Sequence, residues 1–153
     1  SDGIVVVPFM RTSEPAILAA GDCTRFKPPF GSIAGTIRLE SVQNAIDQGR
    51  TVADTILGRN KPYDALPWFW SDQGTCKLQI AGLVQGHDRV VLKADPEKGA
   101  MTVYAFAADA LIGVECINRP ADFVAARRVL GLRKTVTPAE VERPDFELRK
   151  HMS

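Results

Sequence analysis

Three short stretches hold the residues whose types and spacing suit chemistry. In AILAAGDC, Asp22 follows Gly21, so a carboxylate sits where the neighbouring backbone has freedom to turn and lets a ligand approach. A carboxylate at the end of a short buried strand accepts hydrogen bonds from ligand hydroxyls; the plainer alternative is a Gly-Asp turn. In RLESVQNA, Glu40, Ser41 and Val42 open a helical pattern, and the positive end of a helix favours an anionic or electron-rich group. The alternative there is that Glu40 and Ser41 cap their own helix. In PWFWSDQ the chain places both of its tryptophans, Trp68 and Trp70, on either side of Phe69. Such a pair serves a core seam or a flat ligand.

The elements that must position these groups follow from periodicity. Ile4 to Val7 is a β-branched run stopped by Pro8, and Ile17 to Ala20 is a second apolar run ending at Gly21-Asp22. A loop rich in Pro and Gly, 23–35, comes next. Leu39, Val42, Ala45, Ile46, Val52, Ala53, Ile56 and Leu57 then recur at helical spacing, with Gly58 as the stop. From Trp68 onward the pattern changes to strands: one entered at Trp68 after Pro67, then 77–83, 90–94, 101–107 and 111–118, separated by turns short enough for antiparallel hairpins. A helix is predicted from Pro120 to about Leu130, and Thr137-Pro-Ala-Glu140 reads as a capping box that starts a short terminal helix. The fold class expected is α+β, with a mainly antiparallel sheet and flanking helices preceded by a strand-helix piece. The domains expected are residues 1–60 and 61–153.

Composition narrows the function. Nineteen Lys and Arg against eighteen Asp and Glu leave a net charge of +1, which gives no bulk attraction to nucleic acid or an anionic membrane. No apolar run approaches bilayer-spanning length, so a cytoplasmic location is expected. Cys23, Cys76 and Cys116 are odd in number and lack a C-x-x-C pattern, which points to plain thiols and no metal site. His87 reads as a turn residue. His151-Met152-Ser153 reads as an appended tail.

Taken together, TSEPAILAAGDC, RLESVQNAIDQGR and PYDALPWFWSDQ, followed by KLQIAGLVQGHD, LIGVECINRPADF and RRVL, carry a resemblance. The chain resembles the C-terminal part of the FAD-dependent, NAD(P)H-oxidising ferredoxin reductases, a group that includes the putidaredoxin and rubredoxin reductases. The resemblance implies that Asp22 binds the ribityl chain of FAD with Gly21 permitting close approach. It implies that Glu40, Ser41 and Val42 open the helix aimed at the pyrimidine side of the flavin. It implies that Trp68 lies at the flavin edge near the docking surface of an iron–sulfur partner, a ferredoxin or rubredoxin, while Trp70 packs the core or the domain seam. Helix N–H groups there would stabilise negative charge on reduced flavin.

The departures are equally informative. No G-x-G-x-x-G occurs, although the family carries such loops for the pyrophosphates of FAD and NAD(P)H. The first part of the chain is then expected to be the last piece of a Rossmann-like FAD domain, and the whole a C-terminal fragment with no catalytic residues of its own and weak or absent FAD binding. Its uncovered apolar surface invites homodimerisation. A non-catalytic association domain that binds no flavin is the alternative. Disulfide reductases with a C-terminal His and a Glu five residues on do not fit His87 or His151. Arg25, Lys27, Arg38, Arg50, Arg59, Lys61 and Lys77 are candidates for a basic surface that steers an acidic partner.

Overall fold

The computed structural model describes residues 2–153, and the chain divides into two compact units. The first comprises residues 1–29 and 33–65, the second residues 30–32 and 66–153.

The first unit is built on a short parallel strand pair and one long helix. β1 (Ile4–Val5) pairs with β2 (Thr24–Arg25), Ile4 opposite Thr24 and Val5 opposite Arg25. The expected strand over Ile17 to Ala20 is absent; Leu18 makes a single antiparallel bridge to Arg11, and Ile17 is exposed. Asp22 therefore precedes a strand instead of ending one. The reason lies in the backbone: Ile4 N–H donates to Cys23 O at 2.8 Å and Val6 N–H to Arg25 O at 2.9 Å, so the segment after Gly21 takes the place beside β1. A small core of Val6, Met10, Phe26 and Tyr63 closes this unit, with the Phe26 and Tyr63 rings edge-on at 5.3 Å.

Helix α1 (Val42–Ile56) starts at Ser41, whose hydroxyl accepts from Asn44 N–H at 3.2 Å. It ends before Gly58, which takes the left-handed conformation at φ +70. Its position agrees with the apolar spacing, but its orientation is the reverse of what that spacing suggests. Gln43, Asn44, Gln48, Thr51 and Thr55 are buried, whereas Val42, Ile46, Ile56 and Leu57 are 49–70 % exposed. Three of these polar side chains, Asn44, Gln48 and Thr55, bond loop backbone. Asn44 Nδ2 donates to Leu39 O at 2.9 Å, Tyr63 OH to Asn44 Oδ1 at 3.0 Å, and Thr55 Oγ1 to Phe9 O at 2.9 Å.

The second unit carries a five-stranded antiparallel sheet in the order β3-β4-β7-β6-β5. The strands are β3 (Trp68–Gln73), β4 (Cys76–Gly82), β5 (Arg89–Asp95), β6 (Ala100–Ala107) and β7 (Ala110–Ile117). All four later strands coincide with the predicted runs within a few residues. The β6–β7 turn is made by Ala108 and Asp109, both at positive φ, which matches the twist of the strands it joins. Registration aligns whole rows across the sheet. Trp68, Ala81, Val114, Tyr104 and Val91 lie side by side on one face, and Phe69, Ile80, Glu115, Val103 and Leu92 on the other.

The first of these faces is covered by α2 (Pro120–Gly131) and α3 (Pro138–Glu142). Phe123, Ala125, Ala126, Val129 and Leu130 of α2 join Ala81, Tyr104, Val114 and Cys116 in the core, with Val141 of α3 and Leu148. Beneath the start of α2, the buried Thr102 hydroxyl donates to Asp122 Oδ2 at 2.7 Å. The capping box at α3 is present in full, Thr137 and Glu140 bonding reciprocally. Past α3, Leu148–His151 forms a 3-10 turn, Met152 packs on the core, and His151 Nε2 lies 3.6 Å from Glu140. Among the described residues no helix is long and apolar enough to cross a membrane.

Candidate functional site

In the first unit the fold brings the Gly21–Asp22 turn onto α1. Gly21 is buried at φ +84, and a Cβ there would meet Ala45 Cβ at 3.5 Å, an ordinary contact. The glycine is therefore needed for its left-handed backbone, and what approaches it closely is the helix. Its N–H donates to Gln48 Oε1 at 2.7 Å, and its carbonyl accepts from Thr24 N–H at 2.9 Å. Asp22 itself is exposed, and its carboxylate meets no cation among the described residues. An acceptor held this way, and not already used, is what a ligand rich in hydroxyls requires.

At the opening of α1 the predicted residues separate. Ser41 caps the helix. Glu40 does not; its carboxylate is taken by Arg38, which also reaches Asp2 Oδ1 at 2.8 Å and whose pKa rises because of the bond to Glu40. Val42 is exposed on the helix surface. No acidic residue occupies the first turn of this 15-residue helix, so its positive end is not offset from within. An exposed carboxylate accepts hydrogen bonds from hydroxyl groups, and a helix end of this kind attracts negative charge. Nothing in the second unit or the first offers a glycine-rich phosphate loop.

In the second unit Trp68 is half-buried and packs against the main core. Trp70 stacks on it at 5.4 Å between ring centroids and 29° between planes and is 39 % exposed, which leaves it outside the core, the first of the two places expected for it. Both lie on the α2 side of β3 because residues two apart share a face. Phe123 meets Trp68 edge-on at 6.1 Å, and the Arg127 guanidinium carbon stands 4.2 Å from the indole centroid.

Of the seven basic residues expected to form one surface, five face a carboxylate. Arg25 and Arg38 face Asp2, Arg50 faces Asp47, Arg59 faces Asp54, and Lys77 lies 3.9 Å from Asp72. The residues that sequence reasoning missed are Asn44, Gln48 and Arg127. For the first two a signal existed: Asn44, Gln48, Thr51 and Thr55 recur at helical spacing as regularly as the apolar residues do. Arg127 had none, since its contact with Trp68 depends on how α2 crosses the sheet.

Comparison with known proteins agrees with this architecture. Residues 68–152 match the family described as Reductase C-terminal. Rhodocoxin reductase of Rhodococcus erythropolis is 41% identical over 148 residues, covering 97% of this chain and 34% of that protein. Putidaredoxin reductase of Pseudomonas putida is 35% identical, covering 90% of this chain and 32% of that protein. Among solved structures, a ferredoxin reductase from Rhodopseudomonas palustris superposes with a TM-score of 0.88 at 45% identity, over 99% of this chain and 37% of that one. The putidaredoxin reductase of a covalent complex with putidaredoxin gives 0.87 at 32%, over 99% and 36%. The chain thus spans about a third of the length of the curated relatives it matches.

Proposed function

The chain belongs to the reductase C-terminal family of the ferredoxin reductases, and on that premise we propose that it supplies one wall of the flavin site and the C-terminal domain of an FAD-dependent NAD(P)H reductase serving a small iron–sulfur protein. Bound FAD supplies the exchange between a hydride from NAD(P)H and single electrons for the iron–sulfur acceptor. The residues of this chain bind and orient. Asp22 accepts hydrogen bonds from the ribityl hydroxyls. Ser41 and Val42 present the positive end of α1 to the pyrimidine side, where negative charge gathers on reduction, and Glu40 with Arg38 holds the approach to that helix. In the second unit Trp68, with Trp70 stacked on it and Arg127 over its ring, serves the docking surface of the electron acceptor.

The single observation that carries this reading is the Gly21–Asp22 turn: a free carboxylate held by backbone and side-chain bonds to the helix whose N-terminus carries no acid. The exposed apolar surface of the first unit supports it. Ile4, Val5 and Val7 and the stripe Val42, Ile46, Ile56 and Leu57 are all open, and a parallel strand with apolar side chains on both faces is typical of a larger α/β layer. The same surface favours the second reading, an association domain that pairs with another copy and binds no flavin.

Titration of the chain with FAD, followed by flavin and tryptophan fluorescence, separates the two. Saturable quenching that Asp22→Ala abolishes is the outcome expected. An unchanged indole signal at all FAD concentrations, with concentration-dependent association in sedimentation, would establish the association reading instead.

A further inference from the structure

One side chain joins the two elements that the flavin reading places at its site. Gln48 is fully buried on α1, at 0 % exposure. Its Oε1 accepts from Gly21 N–H at 2.7 Å, and the Thr24 hydroxyl lies 2.8 Å from the same oxygen and 2.8 Å from Gly21 O. That hydroxyl has one proton, which serves one of the two acceptors at a time. The turn from Gly21 to Thr24 is therefore attached to α1 through one amide oxygen.

The other end of the same amide is unusual. Gln48 Nε2 is buried with no hydrogen-bond partner. Turning the amide over would place a donor against the Gly21 N–H and make matters worse, so the assignment is fixed by the network. An unpartnered buried donor is costly, and methionine would fill the same space without it. What glutamine brings to this place is the acceptor.

Gly21 has no side chain to pack, and its left-handed conformation removes the turn from any regular ladder. Its N–H is the handle by which the turn can be held. We propose that Gln48 is a positioning residue: it clamps the Gly21–Asp22 turn to α1 and so sets where the Asp22 carboxylate stands relative to the Ser41 end of that helix. The proposal rests on the reading that these two elements flank the flavin, a site that tolerates displacement of only about 0.5 Å.

Three variants of the chain test it. Gln48→Met keeps the volume and removes the acceptor. Gln48→Glu keeps an accepting oxygen. Thr55→Val breaks the bond to Phe9 O on the same helix, away from the turn. Amide hydrogen exchange at Gly21 and Thr24, read by NMR, is the first measurement, and FAD titration by flavin fluorescence the second. Gln48→Met is expected to speed Gly21 exchange about tenfold beyond any change in the rest of the unit and to weaken FAD binding by about the same factor. Gln48→Glu is expected to preserve both, and Thr55→Val to lower overall stability while leaving Gly21 protection relative to its neighbours unchanged. Equal Gly21 protection in wild type and Gln48→Met overturns the clamp, as does its loss in Gln48→Glu or in Thr55→Val. A wild-type chain that binds no FAD overturns the flavin reading alone, and the exchange data then decide the clamp by themselves.

Discussion

The guanidinium carbon of Arg127 lies 4.2 Å from the centroid of the Trp68 indole, with Trp70 stacked on the same ring at 5.4 Å. Arg127 is also 5.6 Å from the Phe123 ring, so one cation on α2 touches aromatic faces from both the helix and β3. This ties the edge strand to the helix at the place where the sequence concentrates its tryptophans. A cation over an indole at a partly exposed site is worth about 0.5–1 kcal/mol.

Arg127→Ala is accordingly expected to lower the stability of the second unit by about 0.5–1 kcal/mol and to change the tryptophan emission in the folded state. Arg127→Lys should retain part of the effect, because the ammonium is attracted to the ring but cannot stack on it. Urea unfolding followed by fluorescence checks both. Identical emission and midpoint in Arg127→Ala and wild type would show that the contact carries no energy.

Gly82 closes β4 at φ +80, and a Cβ there would come within 2.3 Å of Ile112 O and 3.0 Å of Gly113 Cα. Backbone cannot yield as a flexible side chain does. Gly82→Ala is therefore expected to cost about 1–3 kcal/mol from overlap, with left-handed strain of about 1–2 kcal/mol added. Gly74, in the β3–β4 hairpin, has φ +60 but open space where a Cβ would stand, so Gly74→Ala should show the strain alone. Thermal melts of the two variants compare these terms directly. A loss at Gly74 as large as at Gly82 contradicts the overlap argument.

The antiparallel sheet was legible because each hairpin carries its own local signal. Apolar runs in β6 and β7 and the two-residue turn at Ala108–Asp109 between them specify pairing within one short stretch of chain. The first unit was less legible. Thr24 and Arg25 carry no strand signature, yet they pair with β1 because backbone bonds from Ile4 and Val6 select them. For α1, the 3.6-residue period revealed two unlike faces without revealing which is covered. That depends on loop carbonyls and amides, at Leu39, Phe9 and Gly21, which need polar partners. The candidate site followed the same division. Asp22 and Ser41 could be picked out by residue type and position and Gln48 by its place in a polar helical stripe, whereas the bond from Gly21 to Gln48 and the contact of Arg127 with Trp68 depend on elements distant in sequence.

Alkaline pH should loosen both units. Burial pushes the Tyr63 phenol up from 10.0 to about 12, aided by the charge of Asp47, and the Cys116 thiol from 9.0 to about 12, aided by Asp122. Each folded pKa lies above its unfolded value, so the folded chain holds more protons than the unfolded chain in between. Stability is then fully present below pH 9 and falls as pH rises from 9 to about 12. Tyr63→Phe and Cys116→Ala should each flatten the fall in urea midpoint across that range. At neutral pH a thiol reagent should label the exposed Cys23 and Cys76 and spare Cys116 until the chain unfolds. Rapid labelling of all the cysteines in the native state would show the second core to be open.

The last helix offers the opposite sign. Thr137 N–H donates to Glu140 Oε2 at 2.8 Å, the Thr137 hydroxyl bonds the same carboxylate, and His151 Nε2 lies 3.6 Å from its other oxygen. The Thr137 backbone bond, then the hydroxyl, hold the Glu140 carboxyl below its ordinary 4.5. A depressed folded pKa means that the contribution is present above the unfolded value near 4.5 and is lost as pH falls through the folded value. Thr137→Ala should cost about 1 kcal/mol at pH ~7, the usual worth of an N-cap. Glu140→Gln keeps an amide acceptor but loses the charge, so it should cost less. Both differences from wild type should shrink at a pH well below 4.5, where the wild-type carboxylate is itself protonated. Urea midpoints at neutral and acid pH decide the matter: a Glu140→Gln penalty that stays constant with pH would mean that the cap acts through shape alone.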